Sequence, residues 1–207
     1  MNRKKDKKSS WKKSLIEWGV ILSVILALYL TGMHTQVLGT LQRGVLSTGL
    51  VKPTIPENID DAPAADLNFY FVDENSSMKS LADYKGDVIF MNIWATWCPP
   101  CIAEMPSIQS LYDSLEDVPN ATFLLVSVDE DFDVAKEFMA KRDYSIPIFH
   151  FRNKAPGTYE STVIPTTYVI SPDGKLVMEK RGLAKYDTAE FEDFLRKLSS
   201  RTEQLAD

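Results

Sequence analysis

The chain has 207 residues, 44% of them apolar and 25% charged, which is normal for one globular domain with extra segments. Residues 1–17 carry seven Lys/Arg against Asp6 and Glu17, a surplus of five, so the rest of the −6 chain stands at −11 and argues against nucleic acid as a partner. Two cysteines supply only half of a four-ligand zinc site.

Residues 18–42 contain no charge, and 18–33 are strongly apolar (Val20, Ile21, Leu22, Val24, Ile25, Leu26, Leu28, Leu30). A spanning helix needs about 20 such residues. The pattern predicts a transmembrane signal anchor over 18–40, with Trp11, Trp18 and Tyr29 as interfacial residues. The basic residues before it keep that end cytoplasmic, so the remainder faces the periplasm or the cell exterior. A cleaved signal peptide is the alternative, with Val37-Leu38-Gly39 as a weak cleavage site. No lipobox cysteine is present, and a buried core helix would not be apolar on every side.

Residues 41–66 (Gly44, Gly49, Pro53, Pro56, Pro63) read as a linker, largely extended. The remaining domains are a basic N-terminus at 1–17, a soluble domain at 67–200 and a tail at 201–207. Leu67, Phe69 and Phe71 alternate with polar residues as in a strand, and 73–77 is a turn. Residues 88–94 are almost continuously apolar, as in a strand buried on both faces. A helix follows from Cys98 to about Glu116, with Met105, Ile108, Leu111, Tyr112 and Leu115 on one face and a kink at Pro106. Residues 121–128 form a second buried strand, so strand, helix and strand make a parallel βαβ unit.

Residues 131–141 are a helix capped from within 129–131, an acidic cluster read as capping and solvation rather than as a metal site. A strand at 145–151 and a polar insertion at 152–161 follow. Strands at 166–170 and 175–179 flank the turn Ser171-Pro172-Asp173-Gly174, and a helix at 188–198 buries Phe191, Phe194, Leu195 and Leu198. The fold class is α/β: a mixed sheet with parallel strands first, an antiparallel hairpin last, and helices on both faces.

Both cysteines sit in Trp97-Cys98-Pro99-Pro100-Cys101, at the junction between the 88–94 strand and the helix, where a helix N-terminus stabilises a thiolate. This motif resembles the thioredoxin active site. Ile164-Pro165-Thr166 looks like the cis-proline loop of that fold, and Pro106 matches its kinking proline. The anchor, Asn-x-Trp-Ala-x-Trp-Cys and Cys-x-x-Glu-x-Pro resemble more closely the TlpA/ResA/CcmG group of membrane-tethered extracytoplasmic thiol-disulfide oxidoreductases. The resemblance covers 67–198.

It implies a thioredoxin-like fold and an enzyme whose Cys98 is the exposed nucleophile, with N–H groups of Cys101 and Ile102 aimed at its sulfur. Cys101 would resolve the mixed disulfide. Thioredoxin has a buried aspartate six residues before its first cysteine. Here that position is Asn92, which cannot take a proton. By resemblance Glu104, on the same helix face as Cys101, is the proton acceptor, with a raised pKa if half-buried. The other reading is a solvated surface glutamate.

Pro165 is expected cis, against an ordinary trans turn, with the Ile164 backbone open to an extended substrate. Trp97 is expected to cover the dithiol and Trp94 to pack in the core. His34 and His150 lack ligand spacing to the cysteines and read as structural. No cofactor and no metal are implied.

The resemblance implies a reductant of protein disulfides, such as those of apocytochrome c, recharged by a membrane electron carrier of the CcdA or DsbD kind. Alternatives are a dithiol oxidase of the same fold, a peroxide-reducing enzyme (whose reactive cysteine usually sits in a different loop), and a non-catalytic metallochaperone or assembly module.

Overall fold

In the computed structural model, strand β3 (Val88–Trp94) is buried at every position, as its unbroken apolar run demands. The described residues are 5–30, 44, 46, 49, 51–56, 58–151, 157–159 and 162–205. Around β3 lies one seven-stranded sheet. Its other strands are β1 (Tyr70–Val72), β2 (Met78–Ser80), β4 (Ala121–Ser127), β5 (Ile148–Phe151), β6 (Thr166–Ile170) and β7 (Leu176–Arg181), in the order β2-β1-β5-β4-β3-β6-β7. The pairs β3–β4 and β4–β5 are parallel, and all other neighbours are antiparallel. The β6–β7 turn ends on Gly174, whose φ of +80° suits a residue without Cβ.

Helices α2 (Pro99–Ser114), α3 (Phe132–Ala140) and α4 (Ala189–Leu205) account for the three helical patterns of the soluble domain. Strand alternation sends Val88, Phe90 and Trp94 to one face, where they meet Ile102, Met105 and Ile108 of α2, Phe138 of α3, and Phe191 and Leu195 of α4. Phe90 stands edge-on to Tyr186 at 5.1 Å between ring centroids. Ile89, Met91 and Ile93 face the other way, against Phe69, Phe71, Leu81 and Tyr159.

Helices on both faces were expected; among the described residues all three pack into the first cluster. The second face is covered by aromatic side chains and two short 3₁₀ turns, Leu81–Tyr84 and Gly157–Tyr159. The connections at 73–77 and 84–87 are short and rich in Asp, Asn, Ser and Gly, which favour turns over helix. Most of the predicted insertion at 152–161 lies outside the described residues.

Part of the predicted linker lies on the domain. The Lys185 N–H donates to the Val51 carbonyl at 2.9 Å, and Leu176 N–H to that of Pro63 at 2.9 Å. Arg201 pairs with Asp60 at 2.6 Å, and Ile55, Ile59 and Ala62 pack on the helix-side cluster.

Toward the N-terminus, helix α1 (Lys5–Leu30) begins earlier than the anchor predicted at 18–40. No helix among the described residues is long and apolar enough to cross a membrane. Residues 31–40 of the predicted span, His34 included, lie outside the described residues.

Candidate functional site

Strand β3 ends at Trp94, and four residues later Cys98 caps α2. Pro99 and Pro100 occupy the first helical positions, where a missing N–H costs nothing and a fixed φ favours the helix. Cys98 and Cys101 are joined as a disulfide, S–S 2.08 Å and Cα–Cα 5.3 Å. The Cys101 N–H donates to the Cys98 sulfur at 3.2 Å, and the Ile102 N–H donates to the Cys98 carbonyl at 3.1 Å. Cys98, expected exposed, is only 3% accessible in this oxidised state, because its sulfur is tied inward to the fully buried Cys101. Pro106 lies inside α2 without ending it.

The loop into the disulfide is held from β4. Asp129 accepts from the Thr96 N–H at 3.0 Å, the Thr96 hydroxyl at 2.7 Å and the Ser127 hydroxyl at 2.8 Å. Of the acidic trio at 129–131 only Asp131 caps α3; Asp129 is buried and serves the site loop instead. Beside this loop a groove of about 530 Å³ runs between Trp97, Val128, Glu130 and Val134. Trp97 is 58% exposed, while Trp94 is buried in the core. His150 stacks on Phe132, and one of its ring nitrogens lies 2.8 Å from the Asp129 carbonyl. Among the described residues no three His, Cys, Asp or Glu gather as a metal site.

The Ile164–Pro165 peptide is cis, as expected. Thr166 pairs with Ile93, so Pro165 comes one residue before a strand that flanks the end of β3. Its carbonyl accepts from the Gly182 N–H at 2.8 Å.

Glu104, one turn along α2 from Cys101, is neither half-buried nor on the surface: it is fully buried. Its Oε1 accepts from the Asn92 side-chain amide at 2.8 Å and its Oε2 from the Ala184 N–H at 3.2 Å. Burial raises its pKa from 4.5 to about 8, against the smaller downward pull of the Asn92 and Ala184 bonds and of the Lys180 charge. The Asn92 amide also donates to the Thr167 hydroxyl at 2.9 Å, which accepts from the Tyr186 hydroxyl at 2.6 Å. Burial, then the nearby Glu104, pushes the Tyr186 phenol well above its usual range.

Thr167, Ala184, Tyr186 and the site role of Asp129 were not found by sequence reasoning. The one available signal was Thr166-Thr167 at the head of a buried strand, where a polar side chain needs a partner.

The sequence pattern of the AhpC/TSA family matches residues 59–178. The chain belongs to the AhpC/TSA family. Within this thioredoxin-like family it is similar to the thiol-disulfide oxidoreductase ResA of Oceanobacillus iheyensis, 33% identical over 132 residues that cover 63% of this chain and 68% of the relative. ResA of Bacillus subtilis is 29% identical over 167 residues, covering 80% and 83%. A solved thiol:disulfide interchange protein of Chlorobium tepidum superposes with a TM-score of 0.56 at 26% identity, covering 68% of this chain and 99% of that one. With its only two cysteines joined at the head of α2, this member of the family is a thiol-disulfide oxidoreductase.

Proposed function

We propose that the chain is a membrane-tethered, extracytoplasmic reductant of protein disulfides that works through Cys98, Cys101 and Glu104. The observation that carries this reading is a reactive sulfur pair at a helix N-terminus backed by a buried carboxyl with a pKa of about 8. In the reduced enzyme the Cys98 thiolate, favoured by the Cys101 N–H and the helix dipole, attacks a substrate disulfide. The substrate S–S bond breaks, one substrate sulfur leaves as a thiolate that takes a proton from solvent, and a mixed disulfide remains. Cys101 passes its proton to Glu104 in its ionised form, which a pKa of about 8 makes the minor form at neutral pH and the major one above it. The Cys101 thiolate then attacks the Cys98 sulfur. That releases the second substrate thiolate. The substrate gains two electrons, and the enzyme is left with the Cys98–Cys101 bond.

Trp97 supplies an exposed apolar contact, and the backbone at Ile164 before cis-Pro165 aligns an extended substrate by strand addition. Apocytochrome c is the substrate suggested by resemblance, with a CcdA- or DsbD-type membrane carrier as the electron source. Tethering is supported by the basic flank and by apolar side chains exposed around α1, among them Trp18, Ile21, Leu22, Leu26 and Leu30.

The test is the redox potential of the full chain in detergent, equilibrated with glutathione, together with insulin reduction by the metal-free protein. Potentials in this fold run from about −270 to about −120 mV. A value toward the reducing end with turnover supports the proposal. A value near −120 mV assigns an oxidase, and metal retention without turnover assigns a metallochaperone.

A further inference from the structure

The carboxyl of Glu104 does not end at its two donors. Behind it a line of buried polar atoms runs from Asn92 on β3 through Thr167 on β6 to Tyr186 beyond β7. All four side chains are buried, and Asn92 and Thr167 are register partners on neighbouring strands. We propose that Thr167 and Tyr186 are positioning residues for the exchange reaction, holding the Asn92 amide so that it can serve Glu104 in both of its protonation states. This rests on the proposed role of Glu104 as proton acceptor.

The reasoning is one of donors and acceptors. A Glu104 carboxylate needs donors, and Asn92 offers its NH2 group to Oε1 while Ala184 offers N–H to Oε2. A protonated Glu104 must instead donate. Of the two groups bonded to the carboxyl, Ala184 N–H cannot accept whereas the Asn92 amide can, which places the proton on Oε1, facing Asn92. The amide can accept it only by turning over and presenting its Oδ1. The same turn would bring Oδ1 to Thr167, so the partner there must change from acceptor to donor. A hydroxyl can do both; an apolar side chain can do neither.

The Tyr186 hydroxyl donates to Thr167 Oγ1 in either state, leaving the Thr167 proton available to the amide. Asn92 Oδ1 is buried without a partner among the described residues, so no bond there opposes the turn. Among the described residues, Asn92, Lys180, Ala184 and Tyr186 act directly on this carboxyl, and Thr167 and Cys101 stand behind and beside them. Cys101 lies one turn back on α2, Asn92 is on β3, Thr167 on β6, Lys180 on β7, and Ala184 and Tyr186 are in the segment before α4.

The test is NMR on the full chain in detergent micelles, in the oxidised state, with labelled Asn, Thr and Glu. The Glu104 carboxyl carbon reports protonation. The through-space contact between the Asn92 NH2 protons and the Thr167 methyl reports the amide's orientation. The contact is expected above the Glu104 midpoint and lost below it.

Thr167→Val and Tyr186→Phe each remove a hydroxyl from the line that lets the Asn92 amide turn. In each, the pH-dependent change in the Asn92 NH2 signals is expected to be lost while Glu104 still titrates. Thr167→Ser, which keeps the hydroxyl, is expected to restore it. A contact that persists unchanged while Glu104 titrates overturns the proposal, as does a wild-type pH response of the Asn92 NH2 signals in Tyr186→Phe, a variant that removes a single oxygen. If Glu104→Gln leaves the pH profile of mixed-disulfide resolution unaltered, the role of Glu104 as base is what fails, whatever the NMR contact does.

Discussion

Replacing Glu104 with Gln should remove the loss of stability that this carboxyl causes as pH rises. The folded-state pKa is raised from 4.5 to about 8, with burial as the first cause. Below about pH 4.5 the folded and unfolded chains both hold the proton, and the group costs nothing as an ion. Between those values the unfolded chain has released it and the folded chain has not, so stability falls as pH rises, until the carboxyl ionises in place near pH 8.

A shift of that size corresponds to roughly 4–5 kcal/mol lost across the window, at 1.36 kcal/mol per unit, as an upper bound. Gln removes this loss. It has one oxygen, however, where Asn92 and Ala184 present two donors, so one of them faces an NH2 group at a cost of about 1–3 kcal/mol. The variant should therefore match or fall below the native chain near pH 5 and exceed it by about 2 kcal/mol near pH 9. Urea unfolding of the oxidised full chain in detergent at several pH values measures this. Parallel stability curves for the two proteins would refute the reasoning, because they would mean that Glu104 is solvated and titrates normally.

Three further outcomes are expected. Cys101→Ser should stall the reaction as a mixed disulfide at Cys98, visible by mass spectrometry; no covalent adduct with a disulfide substrate would count against Cys98 as the attacking sulfur. Asp129→Ala leaves the Thr96 and Ser127 donors without their carboxylate and should cost about 2–3 kcal/mol, with slower exchange as the loop before Cys98 loosens. Phe90→Ala empties the centre of the helix-side cluster and should cost about 3–5 kcal/mol in denaturant unfolding; a cost under about 1 kcal/mol would contradict the packing described.

Much of this protein is written in short-range patterns. The unbroken apolar run at 88–94 could be read as a buried strand, and the spacing from Met105 to Leu115 as a helix face, because each property depends on neighbours a few residues away. The dithiol at the strand-to-helix junction and the turn at 171–174 were legible for the same reason. Tertiary structure alone decided the rest. Glu104 is buried because Asn92, 12 residues before it, and Ala184, 80 residues after it, close over its carboxyl. Asp129 sits in an acidic run that reads as a helix cap, yet it is consumed by Thr96, 33 residues away. Among the described residues the second sheet face carries only short 3₁₀ turns, and aromatic residues from distant segments cover it. Desolvation is a property of the assembled surroundings, so the proton affinity on which the site depends is set by contacts that no local stretch contains.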